Sequence, residues 1–195
     1  MTQAASTGSA STSDGCTAPP TVCDKLRPVL AYLNGLTARA DLAVLSGMLE
    51  KLDITIEDIR SNCIFGERGY KRNTIARSEW FELLALCWHS ADRTPIHDHQ
   101  GVSCAFKVVH GTGTEIRFKP TASGLLCPVQ AVEMRPGYVC AAVDADIHEV
   151  ANFQAPGQDL VTLHIYSPPI KKMNVYDFSC PAPVECAEAY KDTPC

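Results

Sequence analysis

Along residues 22–61 the apolar positions keep a helical interval. Leu26, Leu30, Leu33 and Leu36 recur at spacings of three and four, which predicts a first helix. Thr37 reads as the N-cap of a second, carrying Leu42, Val44, Leu45, Met48, Leu49 and Leu52. A third, short helix is predicted near Ile54–Ile59, opened by Thr55 with Asp58 three residues on, in the manner of a capping box. None of these segments carries ligand-like residues, so they read as a packing layer.

After Gly66 the interval changes. Tyr70 to Ile75 and Trp80 to Trp88 are rich in aromatic and apolar residues and predict strands. More short strands are predicted at about 94–99, 102–109, 114–119, 129–134, 138–143, 147–153 and 159–166. Gly111-Thr112-Gly113 marks a hairpin, and Pro136-Gly137 and Pro156-Gly157 mark turns. Short strands after a helical preface predict a mainly β fold, a barrel or sandwich with an N-terminal α-helical cap.

Composition narrows this little. At 195 residues, with 46% hydrophobic and 20% charged positions, the chain suits one soluble globular domain. The expected division is a disordered tail over residues 1–20, a folded domain over 21–178 and a C-terminal tail over 179–195, with helices at about 22–61 and the barrel at about 70–178. Residues 1–20 lack the basic start and apolar centre of a secretory signal. The ten cysteines are therefore expected as reduced thiols in a cytoplasmic protein. They contain no CxxC spacing to suggest a zinc–thiolate site. A net charge of -5 with no basic block argues against a nucleic-acid partner, and no apolar run has the length of a membrane span.

The candidate chemistry starts at Ile96-His97-Asp98-His99, between Pro95 and Gly101. On an extended strand residues two apart share a face, so both imidazoles can address one divalent ion. Read alone, the pair fits two solvated histidines beside a turn equally well. Cys104 lies at the opposite parity, and Gly101 can absorb the phase change, which sets Val102, Cys104, Phe106 and Val108 on the inward face of the next strand. A third histidine sits in Ile147-His148-Glu149-Val150-Ala151-Asn152. His97, His99 and His148 would give three neutral nitrogen ligands and leave coordination positions open, as a catalytic metal requires. Such a site stays dipositive and can accept an anionic thiolate; these residues alone leave iron, zinc, manganese, copper and nickel open. His89 and His110 are expected at the surface or in turns.

The spacing His97-x-His99-x4-Cys104-x6-Gly111 resembles the first cupin motif, with Cys104 where that motif has Glu and Ala91 where it has an upstream Gly. His148-x3-Asn152 resembles the end of the second motif, loosely opened by Pro136-Gly137. Add Tyr70-x-Arg72-Asn73, Leu86-Cys87-Trp88 and Thr162-Leu163-His164-Ile165-Tyr166-Ser167-Pro168-Pro169, and the set resembles type I cysteine dioxygenase over about residues 25–178. The resemblance implies a small, jelly-roll-like cupin β-barrel. It also implies one Fe(2+) per chain on His97, His99 and His148, oxidising L-cysteine with O2 to 3-sulfinoalanine (cysteine sulfinic acid).

By the same resemblance, the substrate chelates iron through sulfur and nitrogen while Arg72, with Tyr70 beside it, holds its carboxylate. A guanidinium suits a carboxylate, since two parallel charge-assisted hydrogen bonds join them. Tyr166 matches the active-site tyrosine, and Cys104 the cysteine that animal enzymes join to it by a thioether bond. Thr162, His164 and Tyr166 share strand parity, which fits a relay in which His164 orients the Tyr166 hydroxyl. Trp88 and Met173 are expected around the pocket, and Ser167-Pro168-Pro169 suits a cis bond. A monomer is expected. The alternatives are a 3-mercaptopropionate dioxygenase, a sister type that generally has Gln in place of Arg72, and a non-oxidative metal-binding cupin.

Overall fold

The computed structural model describes residues 23–142 and 146–187; the expected tail at 1–20 and positions 188–195 lie outside them. A 3-10 turn at Asp24–Leu26 runs into α1 (Arg27–Asn34), and α2 follows at Leu42–Lys51. The N-cap of α2 is Asp41, not Thr37: its carboxylate accepts from Ala43 N at 2.8 Å and Val44 N at 3.1 Å. The third helix is a 3-10 segment, Glu57–Asn62, displaced from the expected Ile54–Ile59. The Asp58 carboxylate accepts from both Thr55 N and Thr55 Oγ1 just ahead of that segment.

Among the described residues eleven strands follow: β1 (Lys71–Arg77), β2 (Glu82–Trp88), β3 (Ile96–His97), β4 (Ser103–His110), β5 (Gly113–Pro120), β6 (Leu126–Met134), β7 (Val139–Ala142), β8 (Ile147–Ala151), β9 (Leu160–Ser167), β10 (Lys172–Asp177) and β11 (Cys180–Ala187). They form two antiparallel sheets, ordered β1-β2-β9-β4-β7 and β11-β10-β3-β8-β5-β6. This is the mainly β barrel with a helical cap that the strand rhythm predicts. Two expectations change. Gly111-Thr112-Gly113 is not a hairpin but a crossing between sheets, because β4 pairs with β7 and β9 while β5 pairs with β6 and β8. The chain there passes so close to the next connection that a Cβ on Gly111, at φ +73°, would collide with the Asp159 carbonyl. The expected tail from 179 instead supplies β11, which pairs with β10.

The inner strands of the five-stranded sheet, β2, β9 and β4, are buried on both faces. Leu83, Ala85, Cys87, Ala105, Val161, Leu163 and Ile165 point outward and are covered by Leu26, Leu33, Leu45, Leu49 and Ile59 of the helical layer. Each of these covering residues stabilises the fold by about 1.5–3 kcal/mol through burial. The alternate positions, Leu84, Leu86, Trp88, Cys104, Phe106, Val108 and Tyr166, point into the barrel. Polar ties lock the layers. Lys107 Nζ donates to Leu49 O at 2.9 Å and Leu52 O at 2.7 Å, capping the C-terminal end of α2. Ser103 Oγ donates to Ala40 O while Ser167 Oγ accepts from Ala40 N, so the α1–α2 connection grips the residues next to Cys104 and Tyr166. No helix is long and apolar enough to cross a membrane among the described residues.

Candidate metal centre

The barrel twist brings together three histidines from two places in the chain. β3 pairs with β8 in a register that sets His97 opposite His148. His99 lies beyond the end of β3, in the turn that Gly101 closes at φ +71°, so the pair does not sit on one extended strand. The turn nonetheless returns the ring. The ring centroids are 4.7 Å apart for His97–His99, 4.8 Å for His97–His148 and 5.0 Å for His99–His148. One donor atom from each lies within 4.8 Å of the others, and all three residues are buried.

Hydrogen bonds fix which nitrogens face inward. His97 Nδ1 lies 2.9 Å from Pro95 O, which can only accept, so the proton is on Nδ1 and the Nε2 lone pair faces the cluster. His148 Nδ1 lies 2.8 Å from Glu115 Oε1, which likewise leaves Nε2 bare. His148 Nε2 and His99 Nδ1 are buried with no hydrogen-bond partner. His97 Nε2 and His99 Nε2 stand 3.2 Å apart, close enough for both to reach one ion. Burial, reinforced by the neighbouring imidazoles, lowers the His97 pKa to about 3 and holds His99 well below the usual histidine range. Buried imidazoles with orphaned nitrogens are the donor set of a divalent metal such as Fe(II) or Zn(II).

Tyr70, Arg72, Trp88, Cys104, His164, Tyr166 and Met173 line the same cavity as the histidines. Arg72 projects from β1 with Cζ 5.2 Å from the centre of the Tyr166 ring. Its contact with Glu82, at 3.5 Å, is long for an ion pair. Burial pushes the guanidinium pKa down, but Tyr166, Tyr70 and Glu82 more than offset this, so it stays charged. Tyr70 stacks on Trp88 at 4.3 Å between ring centroids and 19° between planes.

The relay has a direction. The Trp88 indole N–H can only donate, so Thr162 Oγ1 accepts from it at 3.0 Å. Among the described residues the other partner of that hydroxyl is His164 Nε2 at 2.9 Å, which must receive its hydrogen. Burial, then the charge of Arg72, depress the His164 pKa well below the ordinary value and keep the ring neutral. Its remaining hydrogen therefore sits on Nδ1, facing Tyr166 Oη at 3.1 Å. Tyr166 accepts, and its own hydroxyl hydrogen is left for the cavity. Cys104 sits directly across from Tyr166 in the β4–β9 register. Burial raises both the Cys104 thiol and the Tyr166 hydroxyl pKa, so both are protonated at neutral pH.

The chain matches the family described as cysteine dioxygenase type I over residues 16–179. It belongs to that family. The match places it among oxygenases of the thiol dioxygenase class. "Cysteine dioxygenase type 1" of Danio rerio is 27% identical over 137 residues, covering 67% of each chain. The Bos taurus protein of that name is 28% identical over 170 residues, covering 82% of this chain and 80% of its own. The Homo sapiens one is 28% identical over 117 residues, 58% of each chain. Among solved structures, a double-stranded β-helix protein from Klebsiella pneumoniae superposes with a TM-score of 0.47 at 10% identity, over 61% of this chain and 94% of its own. A cupin superfamily protein from Desulfitobacterium hafniense gives 0.43 at 13% identity, over 54% and 83%.

For this family member, the barrel gathers every residue singled out in the sequence, and Thr162 stands behind the cavity wall as a hydrogen-bond link. Ser167–Pro168 is cis. His89 and His110 lie outside the centre, His89 half-exposed against Asp159 and His110 exposed. Two further buried residues support the centre without belonging to any of its motifs' ligand positions. Glu115 holds His148 and is itself held by Arg117 Nε at 3.0 Å and Nη2 at 2.8 Å. Asp98 accepts from Asn174 Nδ2 at 2.9 Å and Tyr176 Oη at 2.7 Å, pinning the segment between two metal-facing histidines to β10. For Glu115 a signal existed: Glu115 and Arg117 share the parity opposite to Ile116 and Phe118.

Proposed function

We propose that this chain is a cysteine dioxygenase, oxidising the thiol of L-cysteine with O2 to cysteine sulfinic acid at one Fe(II) held by His97, His99 and His148. The carrying observation is the pairing, in one small cavity, of three inward-facing imidazoles with the Arg72 guanidinium. Fe(II) bound there would supply the redox chemistry that joins a thiol to dioxygen. The protein supplies the rest. Arg72 fixes the substrate carboxylate by charge-assisted hydrogen bonds, which orients the thiol toward the histidines. Tyr166, fed by Thr162 and His164, presents a hydroxyl hydrogen toward the same space. The apolar wall of Leu86, Phe106, Val150 and Met173 limits water.

Cys104 and Tyr166 face each other as strand partners, which supports a thioether between them; a doublet on denaturing gels that Cys104→Gly abolishes would establish it, and a single band in the parent would refute it. The substrate reading is tested by loading the protein with Fe(II) and following oxygen uptake and sulfinate with cysteine and with 3-mercaptopropionate. Cysteine should be turned over with the higher kcat/KM. A preference for 3-mercaptopropionate, or no oxygen uptake at full iron occupancy, would overturn the assignment. Arg72→Ala should raise the KM for cysteine by roughly 10–100-fold, the loss of a charge-assisted pair worth about 1.5–3 kcal/mol. An unchanged KM would remove Arg72 from that role.

A further inference from the structure

Arg72 lines the cavity with a buried carboxylate beside it that the proposed reaction does not use. β1 and β2 pair with Arg72 opposite Leu86 and Arg77 opposite Glu82, five residues apart on one strand and four on the other. The irregularity between Thr74 and Ala76 absorbs the extra residue. Both arginines therefore project from the same face as Leu86 and Glu82, the face that looks into the barrel. In the next pairing Glu82 stands opposite Tyr166, whose ring Arg72 covers. The Glu82 carboxylate thus lies between two guanidiniums, with one oxygen toward each. Oε2 is 3.5 Å from Arg72 Nη2, and Oε1 is 3.9 Å from Arg77 Nη1. Both contacts are longer than a charge-assisted hydrogen bond. The Glu82 side chain is 11% exposed against 40% for Arg77, so water screens the carboxylate little.

We propose that Glu82 is a specificity-determining residue of the site: it competes with the substrate carboxylate for Arg72, and Arg77 draws it off when that carboxylate arrives. The competition presupposes that Arg72 holds the substrate carboxylate, as proposed above. Without substrate, Glu82 balances a guanidinium that otherwise faces a largely apolar wall. A substrate carboxylate that takes Arg72 comes up against the Glu82 charge, and the repulsion lowers its affinity. Moving Glu82 onto Arg77, which is the more exposed of the two arginines, relieves that repulsion. A thiol without a carboxylate meets no competition, because Glu82 stays with Arg72. Glu82 therefore narrows the difference in affinity between thiols that carry a carboxylate and thiols that do not, and Arg77 widens it.

The test is binding, which needs no turnover: L-cysteine and cysteamine are titrated into the Fe(II)-loaded full chain without oxygen, by calorimetry. Glu82→Gln keeps the shape and an acceptor oxygen for Arg72 but removes the charge. It should tighten L-cysteine by about 5–20-fold, the effect of removing one partly screened like charge, and leave cysteamine no tighter. Arg77→Ala should weaken L-cysteine in the parent background and have no effect in Glu82→Gln, a coupling that a general loss of structure does not produce. If Glu82 only holds Arg72 in place, Glu82→Gln binds L-cysteine equally or more weakly, and the proposal fails. An equal gain for both thiols overturns it too, since the carboxylate is then not what Glu82 opposes. Parent-like L-cysteine affinity in Arg77→Ala overturns it independently of how Glu82→Gln folds. A parent that binds L-cysteine but consumes no oxygen sinks the dioxygenase assignment and leaves the Glu82 result standing. A parent that oxidises cysteine while Glu82→Gln binds it no more tightly sinks this proposal alone, and no L-cysteine binding to either protein ends both.

Discussion

Glu115 is the residue on which the centre most depends without itself facing it. It is almost fully buried, and burial pushes its carboxyl pKa up; the His148 hydrogen bond and Arg117 outweigh that and hold it below the ordinary glutamate value. As a carboxylate it fixes the His148 proton on Nδ1 and so aims a lone pair inward. Glu115→Gln should lower Fe(II) affinity by about 10–100-fold, as changes behind a metal-bound histidine do. Equilibrium dialysis of the variant would check this, and parent-like affinity would show that His148 is oriented by other means. Trp88 acts at one further remove, through the hydrogen it gives to Thr162. Trp88→Phe and Thr162→Val should each lower kcat while changing the KM for cysteine less than Arg72→Ala does. Because both act through one chain of bonds, the second substitution should add less than about 0.5 kcal/mol to the first. Full additivity in steady-state kinetics would mean the chain is not a unit.

Between β2 and β3 the backbone carries a visible mismatch. Ala91 has φ +73°, a conformation that glycine adopts freely and an L-alanine does not. It is the third residue of the turn closed by Asp92 N donating to His89 O, where a positive φ is demanded, and its own N–H bonds Asn152 O at 2.8 Å. The first cupin motif, which the chain resembles here, has a glycine at this position. Ala91→Gly should therefore raise stability by roughly 1 kcal/mol. The urea midpoint measures it, and an unchanged or lower midpoint would show that the turn bears no strain. Elsewhere the elements were placed by competing signals that only packing resolved. Thr37 and Asp41 can both cap a helix; Asp41 does, because Arg39 and Ala40 are held against Ser103 and Ser167 and the helix cannot begin before them.

At the scale of the molecule, the β10–β11 pair links the end of the chain to the centre. β10 pairs with β3 next to His97, and Tyr176 and Asn174 bond Asp98. Burial, with the hydrogen bond to Asp98, raises the Tyr176 pKa to about 12. A group whose folded pKa is raised stabilises the fold in its protonated form, so this contribution is whole below the unfolded tyrosine value near 10 and is lost as pH rises toward about 12. Tyr176→Phe should therefore be less stable than the parent at pH 8 but lose less stability between pH ~10 and ~12. Denaturant melts across that range check the sign; parallel curves would show that Tyr176 does not carry the alkaline loss.

Periods of 3.6 and 2 record which faces are buried, so the helical preface, the strand rhythm and the fold class are legible in the chain alone. The sequence also marks the residues that gather at the centre, since His97, His99, His148, Arg72, Cys104, His164 and Tyr166 fall in an ordered set of motifs. Long-range packing sets what periodicity does not encode. β2 and β9 are buried on both faces, one toward helices and one toward the cavity, so their apolar runs read alike whether or not they line a site. Sheet membership across Gly111–Gly113 depends on long-range pairing, not on the glycines that permit the turn. β10 and β11 escaped notice because Pro181, Pro183 and charged residues break the alternation, and an edge strand tolerates them. Glu115 became legible only when the β5–β8 register, which sets Arg117 beside His148, brought a carboxylate to an imidazole 33 residues away.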